Sequence, residues 1–157
     1  KFKYFHKNFL NIDLNNVEIN QMANDFSNLV FEKVCNSNFI SGAKEFLEYS
    51  KNKYLNFICT GTPEYEIKKI LVEKKLTEYF NSVYGSPKTK VKIIKSIMTE
   101  RKLNSNEILF IGDAMTDYNA SQETNLNFIG IRNMETVFPE DVIQVDNLME
   151  IIRIKNL

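Results

Sequence analysis

The run Ile108-Leu109-Phe110-Ile111 stops on Gly112-Asp113, and a second acid, Asp117, follows within the next turn of chain. Four consecutive apolar residues bounded by Glu107 and Gly112 predict a strand of a parallel sheet that is covered on both faces. In open α/β sheets ligands gather at the carboxyl ends of strands, so Asp113 is placed where chemistry is usual. Gly112 allows close backbone approach, and Thr116 is expected to cap a helix over 117–124. Two carboxylates at this spacing suit Mg²⁺, a hard ion that takes one or two carboxylates, several waters and a substrate phosphate. The plainer alternative is an aspartate that only caps a helix.

Two further segments extend the pattern. Tyr54 to Thr60 predicts another strand ending in a hydroxyl, followed by Gly61 and by a helix from Pro63 to Lys75 with Thr62 as its cap. Thr60, Gly61, Thr62 and the amides of that helix start would form a cradle for phosphate oxygens. The segment from Tyr84 to Lys90 then leads into a predicted helix over 90–100. A cation at a helix amino terminus opposes the dipole, so Lys90, or Lys88, needs another reason to stand there, and a bound phosphate would supply one. Solvated loop lysines are the alternative. A hydroxyl, a cation and a metal ligand, each after or beside a strand, match the needs of phosphoryl transfer, which are positioning and charge neutralisation.

The rest of the chain frames these motifs. Beyond Thr60, helices alternate with strands near 82–84, 108–111, 127–131 and 142–145, which implies a parallel α/β sheet, and Leu148, Ile151 and Ile152 mark a closing helix. Before it, Ile19, Met22, Phe26, Leu29, Val30 and Val34 recur at helical spacing after a cap at Asn16. Lys plus Arg and Asp plus Glu number 20 each in 157 residues, so nothing draws the chain to nucleic acid or to an anionic membrane surface. No apolar run is long enough to span a bilayer, and a cytoplasmic location is expected. Cys35 and Cys59 are read as reduced structural thiols, and His6, the sole histidine, as a packing residue.

On Thr60, Lys90 and Gly112-Asp113 with Asp117, the chain resembles the haloacid dehalogenase-like superfamily of phosphohydrolases, in particular its phosphoglycolate-phosphatase-like branch. The resemblance implies a Rossmann-like, three-layer parallel sheet with a partial helical cap over 1–40 and the α/β core over 41–157. It implies that Thr60 and Lys90, with Lys88 as the other candidate, bind phosphate. Asp113 would then bind Mg²⁺, with Asp117 supporting the metal's water shell. Substrate choice in that family depends on the cap.

One part of the family pattern has no counterpart. Its members begin with a strand ending in Asp-x-Asp, which supplies the covalent nucleophile and the general acid and base, and no such string precedes Thr60. Asn11-Ile12-Asp13-Leu14-Asn15-Asn16 has one acid and no apolar strand before it. That strand would be central, between the strands ending at Thr60 and Asp113. Its absence from this chain predicts one of three outcomes: a separate segment, such as a missing amino-terminal one, fills the gap, the two strands close up on each other, or two chains exchange strands in an oligomer. The expected function is therefore a Mg²⁺-dependent phosphohydrolase of small phosphate esters acting through an aspartyl-phosphate, with this chain inactive alone. The alternative is a non-catalytic remnant of that fold serving binding or assembly. A dinucleotide-binding domain is excluded by the lack of a glycine-rich turn after any strand.

Overall fold

A computed structural model describes residues 2–154. The chain divides after Ser37 into two compact units. In the first, a short helix α1 (Phe2–Phe5) runs into a π-helical turn over His6–Leu10, and α2 spans Asn16–Asn36. Asn15, one residue before the expected cap, accepts from the amides of Val17 and Glu18, and Glu18 reaches back to the Asn15 amide. This reciprocal pair satisfies donors that the helix start would leave open. His6 Nδ1 lies 3.0 Å from the Phe2 carbonyl, a local packing role. The apolar stripe of α2 meets the first helix through an edge-on contact of Phe2 with Phe26, yet among the described residues of this unit none is buried.

The second unit is an α/β sandwich. After α3 (Ala43–Lys51) come β1 (Phe57–Pro63), α4 (Glu64–Glu73), β2 (Ser82–Ser86), α5 (Lys90–Arg101), β3 (Leu109–Gly112), α6 (Met115–Thr124), β4 (Asn127–Ile131) and β5 (Gln144–Val145), closed by a 3₁₀ helix over Leu148–Arg153. All pairings are parallel. Strand periodicity sends alternate residues to opposite faces. Leu109, Ile111, Ile129 and Ile131 pack with Val145, Ile151 and Phe46 of α3 on one face. Ile108 and Phe110 pack on the other face with Ile94 of α5 and with Ala120 and Leu126. Helices therefore cover both faces, the three-layer arrangement expected.

The strands form two sheets, one of β1 and β2 and one of β3, β4 and β5. Cys59 of β1 and Phe110 of β3 pack against the same α5–α6 cluster, so one helical layer serves both sheets. Among the described residues β1 and β3 form no ladder, so the expectation that they close up on each other is not met.

Several local expectations are corrected. Tyr54 and Leu55 are exposed and precede β1. Thr62 caps nothing, because the chain stays extended through Pro63, which pairs with Ser86 after a register shift and is itself the residue before α4. Thr116 is not the cap of α6 either; the helix begins at Met115. Its first turn is closed by Asp117, whose Oδ2 accepts from the Ala114 amide at 3.2 Å. A carboxylate does this better than a hydroxyl, since it also suits the positive end of the helix dipole. The closing helix is 3₁₀ rather than α, with Asn147 capping it through the Met149 amide.

Candidate active site

β3 and α6 assemble the centre of the site. β3 pairs with β4 up to Gly112–Gly130, and the chain then turns sharply into α6. At Gly112 an added Cβ would lie 2.4 Å from the Asp117 Cβ and 2.8 Å from its Oδ2. Only glycine lets the Asp117 side chain fold back under the turn. Asp117 is 6 % exposed. Its Oδ1 accepts from Lys90 Nζ at 2.5 Å, and Lys90 also reaches Thr116 Oγ1 at 3.1 Å. Both carboxylate oxygens of Asp117 thus have protein partners, while the side chain of Asp113 lies exposed at the strand end.

This geometry answers the question of why a lysine opens α5. Thr89 caps the helix through the Lys92 amide, and Lys90 crosses to the buried Asp117. A buried carboxylate requires a counter-charge, and that requirement outweighs the small dipole penalty. Lys88 is exposed, and its charge is felt at Glu64.

Thr60 and its neighbours lie at the carboxyl end of β1. Thr60 Oγ1 accepts from the Thr62 amide at 3.2 Å and lies 3.3 Å from Thr62 Oγ1. Gly61 is exposed, and a Cβ there would meet nothing within 4 Å. The start of α4 is less available than the sequence suggests. Glu64 and Glu66 occupy its first turn, and Glu64 is held below the usual carboxylate range by its hydrogen bond from Lys68 and by the Gly85 amide. An anion at this end of β1 would therefore meet the Gly61 and Thr62 segment rather than the α4 dipole. Burial pushes the Cys59 thiol up to about 11, even with the Lys90 charge nearby, which favours its neutral form, and its Sγ lies 3.8 Å from the Lys90 carbonyl.

One residue that no motif flagged enters the site. Asn133, just beyond β4, donates to the Asp113 carbonyl at 2.7 Å. An asparagine after a strand carries no distinctive signal in sequence, because its partner is distant along the chain.

The residues present suit a magnesium ion that keeps most of its waters. Among the described residues no group of three or more His, Cys, Asp or Glu side chains converges as an all-protein cage. Asp113 offers one free carboxylate beside an Asp117 whose oxygens are occupied, which is the sparse donor set that Mg²⁺ accepts when substrate phosphate completes its shell.

The carboxyl ends of β1 and β3 thus carry a hydroxyl segment and an exposed aspartate, with the lysine-paired Asp117 in the first turn of α6, on an α/β architecture. The family model of haloacid dehalogenase-like hydrolases matches residues 3–131, and the chain belongs to that family. No curated protein matches it in sequence. Solved structures share the fold. A predicted phosphoglycolate phosphatase of Haemophilus somnus superposes with a TM-score of 0.81 at 20% identity, over 96% of this chain and 72% of that one. A predicted phosphatase of Clostridium acetobutylicum gives 0.72 at 22% identity, over 96% and 74%. YfnB of Bacillus subtilis, described as a HAD-hydrolase and bound to magnesium, gives 0.76 at 15% identity, over 97% and 67%.

Proposed function

We propose that this chain carries the phosphate- and metal-binding part of a Mg²⁺-dependent phosphohydrolase acting on small phosphate esters. The observation that carries the reading is the exposed Asp113 at the end of β3, with the Lys90–Asp117 pair buried beside it in a member of this hydrolase family. Asp113 would hold the ion, and Asp117 and Lys90 would fix the turn that presents it. The metal would neutralise phosphate charge. Thr60, Gly61 and Thr62 would contact phosphate oxygens through a hydroxyl and backbone amides, with Lys90 supplying positive charge and Lys88 as the second candidate. A cytoplasmic setting and a small phosphorylated substrate, without nucleic acid or membrane as partner, accompany this reading; no described helix is long and apolar enough to cross a membrane.

The nucleophile of an aspartyl-phosphate mechanism would come from an acid-bearing strand between β1 and β3, each of which has one edge without a strand partner among the described residues. Another segment of the protein or a second chain could provide it by adding a parallel strand. A role in binding or assembly without catalysis is the second reading, favoured by the same split sheet. Hydrolysis of para-nitrophenyl phosphate with Mg²⁺ separates them. Turnover that appears when a strand ending in Asp-x-Asp is co-expressed, and that falls with Asp113→Asn, supports the enzyme. Turnover by the chain alone would show that the nucleophile lies elsewhere, and binding of the strand with no turnover would favour the non-catalytic role.

A further inference from the structure

We infer that Asn133 is a positioning residue for the metal-binding carboxylate, a strut that fixes the backbone from which Asp113 projects. The inference rests on the reading of Asp113 as the metal ligand. It starts from how the turn between β3 and α6 is held. On its amino side Gly112 is locked in the β3–β4 ladder, and on its carboxyl side the Ala114 amide is held by Asp117. Between those anchors the Asp113 carbonyl accepts from Asn133 Nδ2 at 2.7 Å, just beyond the end of the paired strand β4. The same side chain is fixed at its other end, because its Oδ1 accepts from the amides of Glu135 and Thr136, both at 2.8 Å.

The amide group therefore bridges two loops at the carboxyl end of the sheet. It orders its own loop with the oxygen and holds the Asp113 peptide with the nitrogen. The bridging atom could not come from aspartate, which has no donor, or from serine, whose hydroxyl is too short to span both loops. An exposed carboxylate carried on a fixed peptide loses less rotational freedom on binding a cation than one on a mobile turn, which is how groups outside the ligand shell raise metal affinity. Neighbouring Met134 and Val137 are exposed, and the apolar anchor of this loop is Phe138, 5% exposed and packed against Tyr118 and Phe128, five residues beyond Asn133.

The test is a Mn²⁺ titration of the full chain, followed by electron paramagnetic resonance, for the parent, Asp113→Asn, Asn133→Ala and Asn133→Ser. Serine can still accept from an amide two residues on and so retains part of the local turn, which keeps the experiment informative if alanine perturbs the fold. The expected result is loss of binding in Asp113→Asn and weakening by about tenfold in both Asn133 variants, with cooperative melting preserved. If Asp113→Asn binds like the parent, the metal assignment fails and this inference with it. If Asp113→Asn loses the ion while both Asn133 variants bind like the parent, the inference alone is overturned. Loss of cooperative melting in both Asn133 variants would make the residue a prop of the fold and would overturn the positioning role as well.

Discussion

Lys90 Nζ stands 2.5 Å from Asp117 Oδ1, and this single ion pair ties the start of α5 to the first turn of α6. The side chains are 19% and 8% exposed, so water screens the pair little and each charge depends on the other. Asp117 in turn holds the Ala114 amide, which follows Asp113 directly. The lysine thus sets backbone geometry at the candidate metal ligand through one intermediate carboxylate.

Removing one partner is expected to cost more than removing both. Lys90→Ala leaves Asp117 buried without a counter-charge and should destabilise the fold by about 3 kcal/mol. Urea unfolding of Lys90→Ala, Asp117→Ala and the double variant gives the coupling. A double variant destabilised relative to the parent by the full sum of the two single losses would show that the two side chains act independently.

Glycine substitutions should separate steric need from ligand need. Gly112→Ala would force its Cβ onto the Asp117 side chain, and Gly85→Ala would place one 2.2 Å from the Thr62 carbonyl oxygen. Each should lower stability by about 1–3 kcal/mol. Gly61→Ala meets open space and should melt close to the parent while losing protection by phosphate, because the new methyl occupies the face an anion would approach. Differential scanning calorimetry with and without phosphate reads both effects.

Anion protection also decides between the lysines. Phosphate or sulfate should raise the melting temperature of the parent and of Lys88→Ala, and should raise that of Lys90→Ala much less. Equal protection of Lys90→Ala and the parent would confine Lys90 to its structural pair with Asp117.

The Cys59 thiol should be slow to alkylate in the native chain and fast after denaturation. Burial raises it from 9.0 to about 11, so between those values the unfolded chain releases a proton that the folded chain keeps. Stability should accordingly fall as pH rises through that window and be insensitive to this group below it. Iodoacetamide labelling followed by mass spectrometry, with urea melts at pH 8 and pH 10, checks both statements. A Cys59→Ser variant with the same alkaline loss would assign it to another group.

Periodicity and punctuation made much of the framework legible. The apolar run at 108–111 announced β3, because it has no polar position to blur its limits, and the stretch at 127–131 and the residues near 82–84 announced β4 and β2 through their alternation with helices. Asp113 was legible as the acid delivered by a strand end, since that placement depends on local sequence alone. Helix starts were less so. Thr62 and Thr116 carry good capping side chains, yet pairing of Pro63 with Ser86 keeps one segment extended, and a buried aspartate closes the other. The apolar stripe of α2 announced an amphipathic helix, yet among the described residues its unit buries none.

What the tertiary structure alone decided is the identity of distant partners. Nothing near Lys90 in sequence names Asp117 as the reason a cation opens a helix, and nothing near Asn133 points to the Asp113 carbonyl. The division of the strands into two sheets served by one helical layer is also a long-range result. Local sequence determines backbone preference and which positions avoid water, because those depend on near neighbours. Which charge meets which, and which strand edges stay unpaired, depend on how separate segments pack, and only folding brings them together.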